Sequence, residues 1–108
     1  MKNDKVMVTI RVNARLAELY KAILVLQSIT VTADLTTHMQ KQTQNYQLLN
    51  SNVTVDNMQY SKLNIKVDRD VYAKYKAKMI LNHTTPTADV IRYLRFVIEK
   101  NQALLNQN

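Results

Sequence analysis

Cysteine, glycine and tryptophan are absent from this chain, and proline and phenylalanine occur once each. Without cysteine, neither a disulfide nor a thiolate zinc site can brace a small domain. Without glycine, no phosphate-cradling loop can form, and nucleotide-dependent enzymes lose their usual marker. A lone phenylalanine and no tryptophan leave little on which unpaired bases could stack, which disfavours a nonspecific architectural or single-strand binder. The two histidines, His38 and His83, offer no metal constellation. No Ser/His/Asp or Cys/His set occurs, and the eight acidic residues are scattered over helix caps and faces. The chain is therefore read as a non-enzyme, with no catalytic residue, metal or cofactor. No apolar run approaches a membrane span, and the polar start Met1-Lys2-Asn3-Asp4-Lys5 lacks the apolar core of a signal peptide. A soluble, cytoplasmic protein with no membrane partner is expected.

What is present is positive charge and repetition. Fifteen Lys and Arg against eight Asp and Glu give a net charge of +7, which favours a polyanion such as nucleic acid and also fits an anionic membrane surface. Sliding the sequence by 55 positions lays most of its first half on its second. Ile10 and Val12 meet Ile65 and Val67, and Tyr20-Lys21-Ala22 meets Tyr75-Lys76-Ala77. Leu26 meets Leu81, Thr30 meets Thr85, and Thr32-Ala33-Asp34 meets Thr87-Ala88-Asp89. Gln47 and Leu49 meet Gln102 and Leu104, about a dozen identities in all. A fixed period of this kind dictates architecture. Each half is too short to bury a self-sufficient core, so each is expected to complete the other. One domain over 1–108 is predicted, with repeats at 5–49 and 61–105 and a polar linker at 50–60.

Each repeat has the same grammar. Val6, Val8, Ile10 and Val12 alternate with Met7, Thr9 and Arg11. Leu63, Ile65 and Val67 alternate in the same phase with Lys62, Asn64 and Lys66. Period two over β-branched residues predicts a half-buried strand. Asn13 and Asp68 follow as helix N-caps. Helices are predicted to about Gln27 and Asn82, with stripes Leu16, Leu19 or Tyr20, Ile23, Leu26 and Val71, Tyr75, Met79 or Ile80, Leu81. Tyr20 and Tyr75 are assigned to the core, and Lys74, Lys76 and Lys78 to a solvated face. The turns Gln27-Ser28-Ile29 and Asn82-His83-Thr84 lack the glycine that usually supplies a left-handed residue. Asn82 accepts that conformation better than Gln27, so the first turn is expected to be strained or differently shaped. Thr30 and Thr85 cap a second helix in each copy, with Pro86 at the first helical position. In copy two Val90, Ile91, Leu94, Val97, Ile98, Leu104 and Leu105 make a strong apolar face. Leu35, Met39, Tyr46 and Leu49 make a poorer one in copy one, which predicts a helix less deeply buried or more weakly packed there.

The order strand, capped helix, turn, capped helix resembles the ribbon–helix–helix superfamily of Arc/MetJ-type DNA-binding proteins, and does so twice over nearly the whole chain. In that family two protomers pair their strands into an antiparallel ribbon over a four-helix core. The resemblance implies an α+β, mostly helical fold in which one polypeptide supplies both protomers, a covalent pseudo-dimer. Its layout is also similar to tandem versions among relaxosome accessory proteins of conjugative transfer. A two-stranded ribbon fits the major groove, and its outward side chains then face base edges. Met7, Thr9, Arg11, Lys62, Asn64 and Lys66 are the base-reading candidates. Thr30, Thr32, Thr85 and Thr87, at helix N-termini, are the phosphate-binding candidates. Because the strands differ, an asymmetric double-stranded DNA site is expected. The roles implied are an accessory protein at a plasmid or mobile-element transfer origin, or a transcriptional repressor. Side-by-side self-association on DNA and a relaxase or other protein partner fit the same reading. The alternative is a protein-interaction module, antitoxin-like or an inhibitor, that uses this fold without specific DNA binding.

Overall fold

The chain runs strand–helix–helix twice. β1 (Lys5–Asn13), α1 (Ala14–Leu26) and α2 (Val31–Gln44) are followed by a connector whose described residues form no helix or strand. β2 (Tyr60–Asp68), α3 (Arg69–Leu81), α4 (Pro86–Lys100) and a last helical turn, α5 (Gln102–Leu105), complete it. The computed structural model describes residues 4–56 and 58–106. Residues 1–3, part of the polar start, lie outside them. No single helix among the described residues is long and apolar enough to cross a membrane.

The alternation in the two strands is realised as one antiparallel pair. Lys5 lies opposite Asp68, Thr9 opposite Asn64 and Asn13 opposite Tyr60. Val8, Ile10 and Val12 with Leu63, Ile65 and Val67 form its buried face. A one-residue slip would turn all six outward, so the hydrophobic pattern itself fixes the register. The main-chain ends of the ribbon match as well. Arg69 N donates to Asp4 O, and Ala14 N, 55 positions earlier, donates to Gln59 O, both at 2.9 Å.

Each helix begins where its cap dictates. Asn13 Oδ1 accepts from Arg15 N and Leu16 N at 2.8 and 3.2 Å. Asp68 Oδ1 accepts from Asp70 N and Val71 N at 2.9 and 3.4 Å. Thr30 and Thr85 each accept, at 3.1 Å, from the N–H three residues on. Such a cap contributes about 1 kcal/mol. The helices pack crosswise: α2 lies on α3 and α1 on α4. The second helix of each copy thus covers the first helix of the other, and neither half could close its core alone.

Several details depart from the sequence reading. The turn after α1 is not differently shaped. Gln27 and Asn82 have ordinary φ of −96° and −101°; the left-handed residue is one position later, Ser28 at 58° and His83 at 60°. Ile29 N donates to Leu24 O and Ser28 N to Val25 O, while Thr84 N donates to Met79 O and His83 N to Ile80 O. Both turns therefore close with the same Schellman bond pair without glycine. Leu26 and Leu81, expected in the core, are exposed, and of the alternatives Met79 or Ile80 it is Met79 that is buried. The buried stripe of α1 runs Leu16, Ala17, Tyr20, Ile23, Leu24, so its last apolar member is Leu24 rather than Leu26. Nor is α2 shallow: Leu35 and Met39 are fully buried, and His38 and Gln42 complete its inner face. Tyr46 and Leu49 fall beyond the end of α2, and Leu104 and Leu105 belong to α5 rather than to α4.

The connector is docked rather than slack. Ser51 Oγ donates to Arg95 O at 3.2 Å and Asn52 N to Glu99 Oε1 at 3.0 Å. Val53 and Val55 pack on Leu16, Ile23 and Ile98.

Candidate nucleic-acid interface

The face of the ribbon opposite the core carries all six residues singled out for base reading. Met7 stands opposite Lys66, Thr9 opposite Asn64 and Arg11 opposite Lys62, and all six are exposed. Their orientation is enforced from beneath. Thr9, Arg11, Asn64 and Lys66 each lie between buried neighbours on the same strand, and Met7 and Lys62 continue that alternation beside Val8 and Leu63, so the pleat turns all six outward. Thr9 Oγ1 donates to Asn64 Oδ1 at 2.7 Å, tying the strands at the centre of the face. That bond occupies one lone pair of the amide oxygen, while the Asn64 NH₂ keeps its two donors.

Two further residues complete the face, and both follow the same period of two. Lys5 is exposed in phase with Met7, Thr9 and Arg11. Tyr60 is exposed in phase with Lys62, Asn64 and Lys66. Tyr60 falls within the predicted linker 50–60, yet it is the first residue of β2. Its ring lies 4.6 Å beneath the Arg11 guanidinium, an attraction of about 0.5–1 kcal/mol at an exposed site. The stacking restricts a long side chain and presents its planar donor fork ready-formed. The face is thus basic, with Lys5, Arg11, Lys62 and Lys66 on it and Asp68 at one end, its carboxylate engaged as the α3 cap.

Thr30, Thr32, Thr85 and Thr87 are not on the ribbon. They lie exposed at the N-termini of α2 and α4, in equivalent positions of the two copies. The Thr30 and Thr85 oxygens already accept a helix N–H, which leaves their hydroxyl hydrogens as donors.

Beneath this face lies a polar network that the sequence reading missed. Asp89 is fully buried. It accepts from Tyr75 Oη at 2.6 Å and Gln42 Nε2 at 2.8 Å, and His38 Nε2 lies 2.7 Å from its Oδ2. Burial pushes its carboxyl up, but the bonds from His38, Tyr75 and Gln42 outweigh that and hold it below the usual range. The other copy has a matching site. Tyr20 Oη and Tyr93 Oη both donate to Asp34 Oδ2, at 2.5 and 2.8 Å. His38 and Tyr93 are repeat mates, and their rings stack with centroids 4.0 Å apart. Burial, then the adjacent carboxylate, raises the phenols of Tyr20, Tyr75 and Tyr93. The signal in the sequence was the paired Tyr20/Asp34 and Tyr75/Asp89 identities, fourteen residues apart in each copy.

Among the described residues no group of His, Asp and Glu is placed to hold a metal ion. A cleft of about 400 Å³ at one end of the ribbon is lined by Asn13, Thr54, Tyr60 and Arg95 with apolar neighbours, and holds no acid–base pair. No family model, curated protein or solved structure matches the chain.

Proposed function

We propose that the chain is a tandem ribbon–helix–helix protein, a covalent pseudo-dimer that binds double-stranded DNA sequence-specifically by laying its ribbon in the major groove. One observation carries the reading. Two strands far apart in sequence pair in the register that puts Met7, Thr9, Arg11, Lys62, Asn64 and Lys66 on a single exposed, basic face. Arg11, Lys62 and Lys66 can donate to guanine O6 and N7, and Asn64 can address adenine. The threonines at the α2 and α4 N-termini supply donors to flanking phosphates. A face that differs along its length suits an asymmetric site, as expected of a cytoplasmic accessory protein at a plasmid or mobile-element transfer origin, or of a repressor.

A protein-binding role has its own support. Val25 and Leu26, and their repeat mates Ile80 and Leu81, are 76%, 59%, 62% and 75% exposed. Two matching aliphatic patches on one molecule suit side-by-side copies on DNA, or a relaxase or other protein partner. Competition binding separates the readings. Tight binding to a selected duplex that survives excess random DNA supports the sequence reader. No duplex binding even at low salt would leave the interaction module, antitoxin-like or an inhibitor.

A further inference from the structure

We infer that Met7 gives the DNA site its direction, an inference that rests on the DNA-binding reading above. The register supplies the geometry. Residues that face each other across the ribbon have numbers summing to 73, as in Lys5–Asp68 and Asn13–Tyr60. Repeat mates differ by 55. Only Thr9 satisfies both conditions, since its cross-strand neighbour Asn64 is also its repeat mate. The axis relating the two copies therefore passes through the Thr9–Asn64 pair, and the reading face divides there into two halves.

One half holds Arg11 opposite Lys62, and the other holds Lys66 opposite Met7. The axis carries Arg11 onto Lys66, and both are guanine donors. It carries Lys62 onto Met7, and there the chemistry breaks. A cation with three N–H donors stands on one side, and a 59% exposed thioether on the other. At mirrored positions of the duplex, Lys62 selects guanine through O6 and N7, while Met7 has no donor and selects the thymine methyl by apolar contact. The outer pair reinforces the difference without reversing it: Tyr60 supports Arg11, whereas its mate beside Lys66 is Lys5, which offers no ring. Away from the Thr9–Asn64 pair at the axis, the target is thus an inverted repeat broken at the mirrored position that Lys62 and Met7 read, guanine on the Lys62 side and thymine on the Met7 side.

The test is selection of binding sites from a randomised duplex pool by the full chain, by Met7→Lys and by Lys62→Met. The wild type should select guanine and thymine at mirrored positions. Met7→Lys should replace that thymine by guanine with a preference of about tenfold, making the site symmetric there. Lys62→Met should replace the mirrored guanine by thymine and leave the Met7 side alone. The same base selected by the wild type and Met7→Lys would overturn the inference, as would two substitutions acting at positions that are not mirror-related. A strictly palindromic wild-type site would overturn it too while preserving DNA binding. No enrichment by the wild type would instead refute the DNA-binding reading itself. Both side chains are exposed, and thermal unfolding checks that both variants fold. If one fails, the other decides alone.

Discussion

Asp89→Ala should be among the most damaging single substitutions in the molecule, and the structure sets its size. The carboxylate is fully buried and receives Tyr75 Oη, Gln42 Nε2 and His38 Nε2 within 2.8 Å. Removing it deprives those buried groups of the acceptor that satisfies them. Gln42 loses least, because its Nε2 also donates to Gln47 O at 2.9 Å. Tyr75 Oη keeps only a 3.5 Å contact to Pro86 O. Breaking a buried charged network by deleting one member costs about 3–5 kcal/mol, a large share of the 5–15 kcal/mol that holds a typical domain. Asp34→Ala is the internal control. It occupies the equivalent position but is only partly buried and loses two tyrosine bonds, which should cost about 1–3 kcal/mol. Urea unfolding followed by far-ultraviolet circular dichroism measures both, with the slope against urea unchanged if only stability has moved. Equal losses for the two variants, or less than about 1 kcal/mol for Asp89→Ala, would show that the three contacts do not act as a network.

Three further outcomes follow from named contacts. Arg11→Ala should cost about 1–3 kcal/mol on a specific duplex and relax base preference locally; Lys74→Ala, outside the ribbon face, serves as the comparison, and equal effects would remove Arg11 from the reading set. Stability should depend on pH at both extremes. Asp89 is held low in the fold, so its contribution is present above the ordinary carboxylate value of about 4 and disappears as pH falls through the lower folded value. Tyr20, Tyr75 and Tyr93 are raised, so theirs is present below about pH 10 and is lost above it. Urea titrations across pH check this, and a flat profile from neutral into the alkaline range would refute it. Ser28→Gly and His83→Gly should each stabilise by about 0.5–1 kcal/mol, because a left-handed residue with a Cβ costs about 1–2 kcal/mol and glycine's greater entropy loss offsets part of that. A loss of stability in either variant would mean that its side chain does something besides occupying the turn.

The legible parts of the fold were those where local chemistry has one solution. Period-two alternation in Val6–Val12 and Leu63–Val67 fixed both strands and their inner face, and Asn13, Asp68, Thr30 and Thr85 marked four helix starts to the residue. What escaped was set by packing between the copies. Leu26 and Leu81 fit a helical stripe, but burial ends two positions before them, at Leu24 and Met79. Gln42 and His38 look like surface residues in a polar stretch of α2. They are buried because Asp89, 47 and 51 residues away, gives them a charged acceptor that no local pattern reveals. Tyr60 follows a polar connector and so resembles it locally, yet it continues the phase of Lys62, Asn64 and Lys66 by one step and places its ring under Arg11.

The repeat also explains why these departures fall where they do. In a dimer of identical chains, a residue on the two-fold axis meets its own copy, so the stack at the centre of the core would be His on His or Tyr on Tyr. Here the position holds His38 against Tyr93, and each ring serves a different carboxylate: Asp89 receives a nitrogen and Asp34 a phenol. A dimer of identical chains cannot hold such a mixed pair, and a chain that encodes both halves can. The connector that joins them is bound along α4, so the halves are presented to each other at high effective concentration in one arrangement. The same freedom acts at the ribbon. Once the halves are separate stretches of one sequence, position 7 can become methionine while position 62 remains lysine, with no change in the buried residues that hold the strands in register. Asymmetry on the outer face then carries no packing penalty, because Met7 and Lys62 are exposed while Val8 and Leu63 beside them are not.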